Sequence, residues 1–268
     1  MRKKNRRAEP PSFRFKGVKL DNVRYEDVRD VVERSIGGCG YVCLTDVGNV
    51  VAAASDRALL TAINASLLSV CDGTPLAWFG HLIGCRRVQR ISGCDLMTGL
   101  LRDGRAWRHY LLGDTEETIA RVIARAQSEN PGIEITGHSP PFRDFTEDDN
   151  AAMRRKIEAD GADVVWVCFG GGKQEQWAHD QAPRLKRGIL ICVGAAFRYY
   201  AGMIRVPSRF VQRAGLQWLA RTLQGEQPFR ILKRRWRAQR RFLRDFPGEW
   251  IAGRRATRHD RQDHRPGA

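Results

Sequence analysis

The segment that most constrains the fold is residues 161–177, GADVVWVCFGGGKQEQW, in which an apolar run ends in three glycines. An apolar run bounded by glycine is typical of a buried parallel strand, because helices cover both faces of such a strand. Gly170, Gly171 and Gly172 let the backbone approach a ligand, and a helix that begins there points free N–H groups at anionic oxygens. Open α/β sheets bind ligands at this place. A tight turn without a ligand is the alternative interpretation.

Two common nucleotide-binding motifs do not fit this turn. A P-loop requires GxxxxGK followed by Ser or Thr, but Lys173 is followed by Gln174. The dinucleotide fingerprint GxGxxG is absent from the chain.

The pattern of apolar strand and amphipathic helix repeats along the chain. Strands are predicted at residues 41–45, 110–112, 133–137, 163–169 and 188–194, and helices begin near Ser55, Asp114, Thr146 and Lys173. Asp114 with Glu117, and Thr146 with Asp149, have capping-box spacing. This alternation predicts an α/β fold with a Rossmann-like parallel sheet and helices on both faces.

Composition narrows the class of protein further. A chain of 268 residues with 42% hydrophobic residues can build one large α/β core. Neither a transmembrane run nor a signal peptide is visible, so we expect a cytoplasmic protein. Seven cysteines without a CxxC pair predict reduced core thiols, and six histidines without HExxH predict no structural metal and no cofactor.

Basic residues concentrate at the two ends of the chain. Net charge is +16, with eight Lys/Arg against one acid in residues 1–19 and seventeen against five in residues 205–268. The middle is nearly neutral. Such ends are typical of attachment to a polyanion, either nucleic acid or an anionic membrane.

These patterns divide the chain into four parts. We expect a disordered basic arm (1–19), an α/β core (20–206), a basic amphipathic C-terminal appendage (207–252) and a disordered tail (253–268). The appendage is helical in its periodicity, and its apolar stripe consists of Phe229, Leu232, Trp236, Leu243 and Phe246. A basic helix with an aromatic stripe favours a membrane surface, and a helix packed on the domain is the alternative.

Several ordered motifs resemble one family of enzymes. They are KQEQW (173–177), TPLAWFGHLIG (74–84) preceded by Asp72-Gly73, RISGCDLM (90–97), YLLGDTEE (110–117), VGAAFRYYAGMIRVPSRF (193–210) and GLQWLARTLQGEQPFR (215–230). Over roughly residues 20–240, the chain resembles the WecG/TagA/CpsF family of bacterial glycosyltransferases.

The resemblance implies roles for three residues in catalysis. Asp72 matches the aspartate of the family's DG motif, its proposed catalytic base, and a carboxylate can take the proton of an attacking hydroxyl. An ordinary Asp-Gly turn is the alternative. Thr45 resembles the family's active-site threonine. Arg90 matches a family arginine suited to diphosphate oxygens, with a surface ion pair as the alternative.

Further residues are expected to bind substrates. Gly171 allows close approach, Gln174 matches the family's glutamine for a sugar or uridine hydroxyl, and Glu175 either does the same or caps the helix. A cationic set in the appendage is expected to meet the pyrophosphate of a lipid carrier: Arg221, Arg230 and Lys233.

The chain departs from the family pattern at two places. Relatives often have an asparagine shortly after the threonine, whereas Asp46, Val47, Gly48 and Asn49 stand here. Relatives commonly carry aspartate where this chain has Arg198, which leaves open an altered donor choice or a re-paired surface charge.

The resemblance implies an inverting glycosyltransferase in cell-surface polysaccharide biosynthesis. It would move a hexosyl or N-acetylhexosaminyl unit, such as N-acetylmannosaminyl or glucosyl, from a UDP-sugar to a polyprenyl-diphosphate-linked saccharide. We expect a peripheral enzyme on the inner face of the cell membrane, with self-association and without nucleic acid or a metal. Two alternatives are a nucleic-acid-binding protein and an NAD-dependent reductase. The sequence shows no recognisable nucleic-acid-binding motif, and it lacks the GxGxxG that a reductase of this kind would need.

Overall fold

A parallel sheet of six strands forms the centre of the molecule. The computed structural model describes residues 10–103, 105–205 and 228–263, with the side chains of the last range described from 236 to 256. Two strands form a separate hairpin, β1 (Ser12–Phe15) and β2 (Val18–Asp21). The six strands of the central sheet are β3 (Cys39–Thr45), β4 (Leu68–Cys71), β5 (Arg108–Gly113), β6 (Glu134–His138), β7 (Val164–Cys168) and β8 (Gly188–Cys192). The order in the sheet is β4-β3-β8-β7-β5-β6, and each neighbouring pair is parallel.

Helices cover both faces of this sheet. They are α1 (Tyr25–Ser35), α2 (Val47–Ala53), α3 (Arg57–Asn64), α4 (Thr74–Leu82), α5 (Gly93–Arg102), α6 (Glu116–Glu129), α7 (Glu147–Asp160), α8 (Lys173–Gln181), α9 (Ala196–Tyr200) and the C-terminal α10 (Pro228–Asp263). Successive residues of β7 point to opposite faces. Trp166 belongs to the core cluster that also contains residues of α1, α5, α6 and α9, and Val167 belongs to the cluster that contains residues of α7 and α8. The predicted α/β fold, with a parallel sheet and helices on both faces, is confirmed.

Of the two capping boxes predicted from the sequence, the one at α7 is present, and at α6 the N-cap is displaced by one residue. Thr146 caps α7, and Asp149 completes the predicted capping box. At α6 the N-cap is Thr115 and not Asp114. Asp114 has a φ of 57°, and its carboxylate accepts hydrogen bonds from Thr115 N–H and Thr118 Oγ1.

The predicted disordered arm is wrong for residues 12–19. Strands β1 and β2 form an antiparallel hairpin, in which Phe13, Phe15 and Val18 are buried. Alternation of these apolar residues with Arg14 and Lys16 is the period of a half-buried strand, but the high density of charge obscured it.

The C-terminal segment also differs from its prediction. Helix α10 runs to Asp263, so the disordered tail predicted from residue 253 is wrong up to that residue. Phe242 is 2% exposed and stacks on Phe15 with ring centroids 4.7 Å apart. Phe246 meets Phe79 of α4 edge-on at 5.4 Å.

The predicted apolar stripe of α10 is therefore split between two sides of the helix. Phe246 faces the domain, whereas Trp236 and Leu243 are exposed. This part of the helix follows the alternative interpretation, a helix packed on the domain. The side chains of Phe229 and Leu232 lie outside the described residues.

Candidate active site

Thr45 and Asp72 lie next to each other at the carboxyl ends of β3 and β4. The Asp72 N–H donates to the Thr45 carbonyl at 3.0 Å, one step beyond the last pair of the ladder, Thr45 with Cys71. Thr45 is fully buried, and its hydroxyl shares a 2.9 Å hydrogen bond with Ser69. Asp72 is only half-buried. The structure thus brings the proposed base and the proposed active-site threonine together at one edge of the sheet.

The glycine-rich turn after β7 lies at the same edge. Gly170 and Gly172 both have a φ of +89°, a conformation that side chains other than glycine rarely adopt. A Cβ on Gly171 would lie 3.0 Å from Asn49 Oδ1. The close approach that Gly171 permits in this structure is therefore to the side chain of Asn49.

Glu175 joins this turn to helix α2. Its Oε2 accepts the Gly172 N–H at 2.7 Å, and its Oε1 accepts from Asn49 Nδ2 at 2.9 Å and from Gln174 Nε2 at 3.0 Å. Burial raises the pKa of the Glu175 carboxyl, and these donors oppose that shift. Of the two roles considered for Glu175, the structure shows the helix cap, and it adds a bridge to Asn49.

Gln174 connects the turn after β7 to the turn after β8. Its Oε1 accepts the Gly194 N–H at 3.1 Å, and its Nε2 donates to Glu175. The residue is 3% exposed. Both ends of the amide thus have partners inside the protein, and together with Glu175 they link the turns after β7 and β8 to helix α2.

Sequence reasoning did not identify Asn49 as a functional residue. It is the third residue of helix α2, whose N-cap is Asp46, and the Asp46 carboxylate accepts the Asn49 N–H at 2.9 Å. The only hint in the sequence was the departure from the family pattern after Thr45, where an asparagine is expected soon after the threonine and Asn49 comes four residues later. The structure shows that an asparagine side chain still reaches the site from this displaced position.

Arg90 lies beside Asp72 in the chain segment that leads into α5. The Ile91 N–H donates to the Cys71 carbonyl at 2.9 Å, which holds this segment against the end of β4. The Arg90 guanidinium is 3.2 Å from Asp95, and the Ser92 hydroxyl donates to the same carboxylate at 2.6 Å. The ion pair considered as the alternative is present, and it holds a partly buried cation near the carboxyl end of β4.

Arg198 forms a pair with a buried carboxylate. Its Nε lies 2.9 Å from Asp114 Oδ2, and its Nη2 lies 3.1 Å from Asp114 Oδ1. The Asp114 side chain is 4% exposed and that of Arg198 is 45% exposed. Two interpretations were considered for Arg198, which stands where relatives commonly have aspartate. The structure shows the second, a re-paired charge, and the Arg198–Asp114 pair joins α9 to the end of β5.

The cationic set of the appendage is only partly described. Arg221 lies outside the described residues. Arg230 and Lys233 belong to helix α10, but their side chains are outside the described part. Their contact with the site thus stays a prediction.

Metal-ligand clusters and membrane-spanning helices are both absent from the described part of the chain. Among the side chains described in residues 10–103, 105–205 and 236–256, no three or more His, Cys, Asp or Glu gather as metal ligands would. None of the helices in these ranges combines the length and the apolar character needed to cross a bilayer.

The sequence of this chain is similar to those of known proteins. A family model described as "Glycosyl transferase WecG/TagA/CpsF family" matches residues 13–256. The chain is 32% identical over 155 residues to an N-acetylglucosaminyldiphosphoundecaprenol N-acetyl-beta-D-mannosaminyltransferase of Bacillus spizizenii, over 57% of this chain and 58% of the relative. A Bacillus subtilis protein of the same name is 25% identical over 174 residues, or 64% of this chain and 66% of the relative. The alignments thus span less than two thirds of these relatives. The family match covers nearly the whole chain, which belongs to the WecG/TagA/CpsF family of glycosyl transferases.

Proposed function

We propose that this protein is an inverting glycosyltransferase that moves an N-acetylhexosaminyl or hexosyl unit from a UDP-sugar to a polyprenyl-diphosphate-linked saccharide. The observation that carries the proposal is the meeting of Thr45 and Asp72 at the carboxyl edge of the sheet, beside the glycine-rich turn. Ligands of open α/β sheets bind at this edge. The names of the two Bacillus relatives make N-acetylmannosamine the first donor sugar to test.

In the proposed reaction, Asp72 acts as the general base. Its carboxylate takes the proton of the acceptor hydroxyl while that oxygen forms a bond to the anomeric carbon of the donor. The bond from this carbon to the diphosphate oxygen breaks, UDP leaves with the electron pair, and the anomeric configuration inverts. A half-buried carboxylate suits this role, because it is reachable by substrate and partly removed from water.

Cations and helix N-termini are proposed to stabilise the departing diphosphate. Helix α4 begins immediately after Asp72, and a Cβ on Gly73 would lie 3.8 Å from the Val47 N atom at the start of α2. Two helix N-termini thus face the region around Asp72, and Arg90 lies beside them. Arg221, Arg230 and Lys233 are proposed to bind the diphosphate of the lipid carrier.

The acceptor places the enzyme at a membrane surface in this proposal. We propose that it works as a peripheral protein on the inner face of the cell membrane, and self-association belongs to the same hypothesis. The basic C-terminal helix supports membrane attachment, because each Lys or Arg near an anionic leaflet contributes about 1 kcal/mol.

A donor screen tests this function directly. The purified protein is incubated with a panel of UDP-sugars and a short-chain acceptor, N-acetylglucosamine linked to a lipid diphosphate, and the glycosylated product is measured by mass spectrometry. We expect transfer from UDP-N-acetylmannosamine or UDP-glucose and an inverted anomeric linkage by NMR. Transfer only from a sugar linked to another nucleotide, or retention of configuration, would contradict the proposal.

A further inference from the structure

Helix α4 exposes an apolar surface close to the candidate active site. Trp78 and Leu82 are separated by one helical turn, and they are 48% and 53% exposed. The opposite side of the helix is buried through Leu76 and Phe79. Trp78 is the fifth residue of α4, so it lies only about 8 Å along the helix axis from the N-cap that follows Asp72.

Helix α10, which packs on α2 and β1 and also touches α4, exposes apolar side chains as well. Helices α4 and α10 meet through Phe79 and Phe246, and a Cβ on Gly253 would lie 3.0 Å from Ile83 at the end of α4. On the outer side of α10, Trp236 is 54% exposed and Leu243 is 66% exposed. We name Trp78 and Leu82 of α4 the docking surface.

The chain segment that carries the docking surface is basic. Residues 73–94 contain no Asp or Glu, and Arg86 is exposed within this range. On α10 the exposed cations include Arg237 and Arg240. The two acids of residues 236–256 face the β1–β2 hairpin instead: Asp245 pairs with the Lys16 ammonium at 3.4 Å, and Glu249 accepts the Lys16 N–H at 3.2 Å.

We propose that the docking surface inserts into the headgroup region of an anionic bilayer, with α4 as an anchor in addition to the basic helix α10. Exposed Trp and Leu surrounded by cations fit such an interface, where apolar burial and electrostatic attraction act together. A second copy of this chain fits less well, because its identical surface would bring cations against cations.

The proposal rests on the proposed function and gives it a geometry. The diphosphate of a lipid-linked acceptor lies at the headgroup level, so its sugar reaches only a site that is held close to the membrane. Insertion of Trp78 and Leu82 brings the N-terminal end of α4, and therefore Asp72, to that level. Helix α10 alone would attach the protein without orienting this edge of the sheet.

The test compares the two residues of the docking surface with an exposed leucine elsewhere on the protein. Leu82→Ser and Trp78→Ser change the docking surface, whereas Leu67→Ser changes a leucine that is 40% exposed and precedes the amino end of β4, away from the site. Binding to vesicles of phosphatidylcholine with phosphatidylglycerol is measured by sedimentation, without any substrate. Thermal melting checks the fold of each variant.

We expect Leu82→Ser and Trp78→Ser each to lower vesicle partitioning about tenfold, since one buried apolar side chain is worth about that factor. Leu67→Ser should bind as the unaltered protein does. The ratio of turnover on a long-chain lipid acceptor to turnover on a water-soluble one should fall in the first two variants only.

Wild-type partitioning by both Leu82→Ser and Trp78→Ser would overturn the proposal. A dimer that forms without lipid and dissociates in Leu82→Ser would also overturn it, in favour of self-association. The binding measurement is independent of catalysis. If no UDP-sugar is used, the proposed function fails while the result on vesicles still decides the docking surface.

Discussion

The carboxylate of Glu175 shows how a residue expected to bind substrate can instead build the site. Its two oxygens accept from three donors, on Gly172, Gln174 and Asn49, and the residue is fully buried. Removal of a partner from such a buried group leaves its desolvation uncompensated. Asp72 is different, because it lies at the end of its strand and is only half-buried. These two acids therefore call for different experiments.

Replacement of Asp72 by Asn should lower turnover by roughly 10²-fold or more, because general-base catalysis commonly contributes that much. The side chain keeps its size but can no longer accept the proton. Steady-state kinetics with the best UDP-sugar measures the effect. Asp30→Asn, on the outer side of α1, is the control and should keep full activity. A folded Asp72→Asn enzyme with normal turnover would remove Asp72 from the mechanism.

Replacement of Asn49 by Asp should destabilise the protein in a pH-dependent manner. The new carboxylate would lie about 3 Å from Glu175, whose pKa burial already raises. Two carboxyl groups at this distance share one proton, so the pKa for loss of that proton from the folded pair rises further, and stability falls as pH increases through it. We expect a loss of about 1–3 kcal/mol at neutral pH that shrinks toward pH 5.

Chemical denaturation at several pH values measures this change, with Asn49→Ala as the control. The alanine variant loses the hydrogen bond to Glu175 but gains no acid. Its destabilisation should therefore depend less on pH. Equal pH profiles for the two variants would show that the introduced carboxylate and Glu175 do not share a proton.

Helix α10 belongs to the structural core as well as to the surface. Phe242 is buried between the β1–β2 hairpin and Phe246, whereas its neighbour Leu243 is 66% exposed. A single turn of this helix thus carries one residue packed in the core and one apolar residue exposed at the surface. Deletion of residues 228–268 is still expected to release the protein from vesicles, but it would also uncover the cluster around Phe15 and Phe79.

Phe242→Ala should lower the free energy of unfolding by about 3–5 kcal/mol, because it leaves a cavity at a fully packed aromatic site. Leu243→Ala is the matched control and should change it by less than about 0.5 kcal/mol. Urea denaturation measures both. Equal stability of the two variants would show that α10 does not pack on the domain in solution.

In the whole molecule, the candidate site around Asp72 lies at the carboxyl edge of the sheet, and helix N-termini and Arg90 lie near it. We expect glycosyl transfer to continue in EDTA, because these groups can stabilise the leaving diphosphate in place of a metal. The assay is the donor screen repeated with and without chelator. Loss of activity in EDTA that magnesium or manganese restores would contradict this expectation.

Local sequence patterns were sufficient for the parallel sheet, the glycine-rich turn and the cap of α7. Runs such as VVWVC and the Thr146–Asp149 spacing report burial and helix starts within a few residues, so they can be recognised without a partner. The family motifs pointed to Thr45 and Asp72 separately, and the structure places the two residues next to each other.

Only the tertiary structure decided which distant residues share the site. Asn49 bonds to Glu175 across 126 residues of chain, and Arg198 to Asp114 across 84. A side-chain pair at such a separation depends on the crossovers between strands, which leave no periodic signal in the sequence. The same reason explains why the hairpin was not predicted. Phe15 is buried because Phe79 and Phe242 cover it, and both partners are too distant in the chain to be recognised from the residues around Phe15.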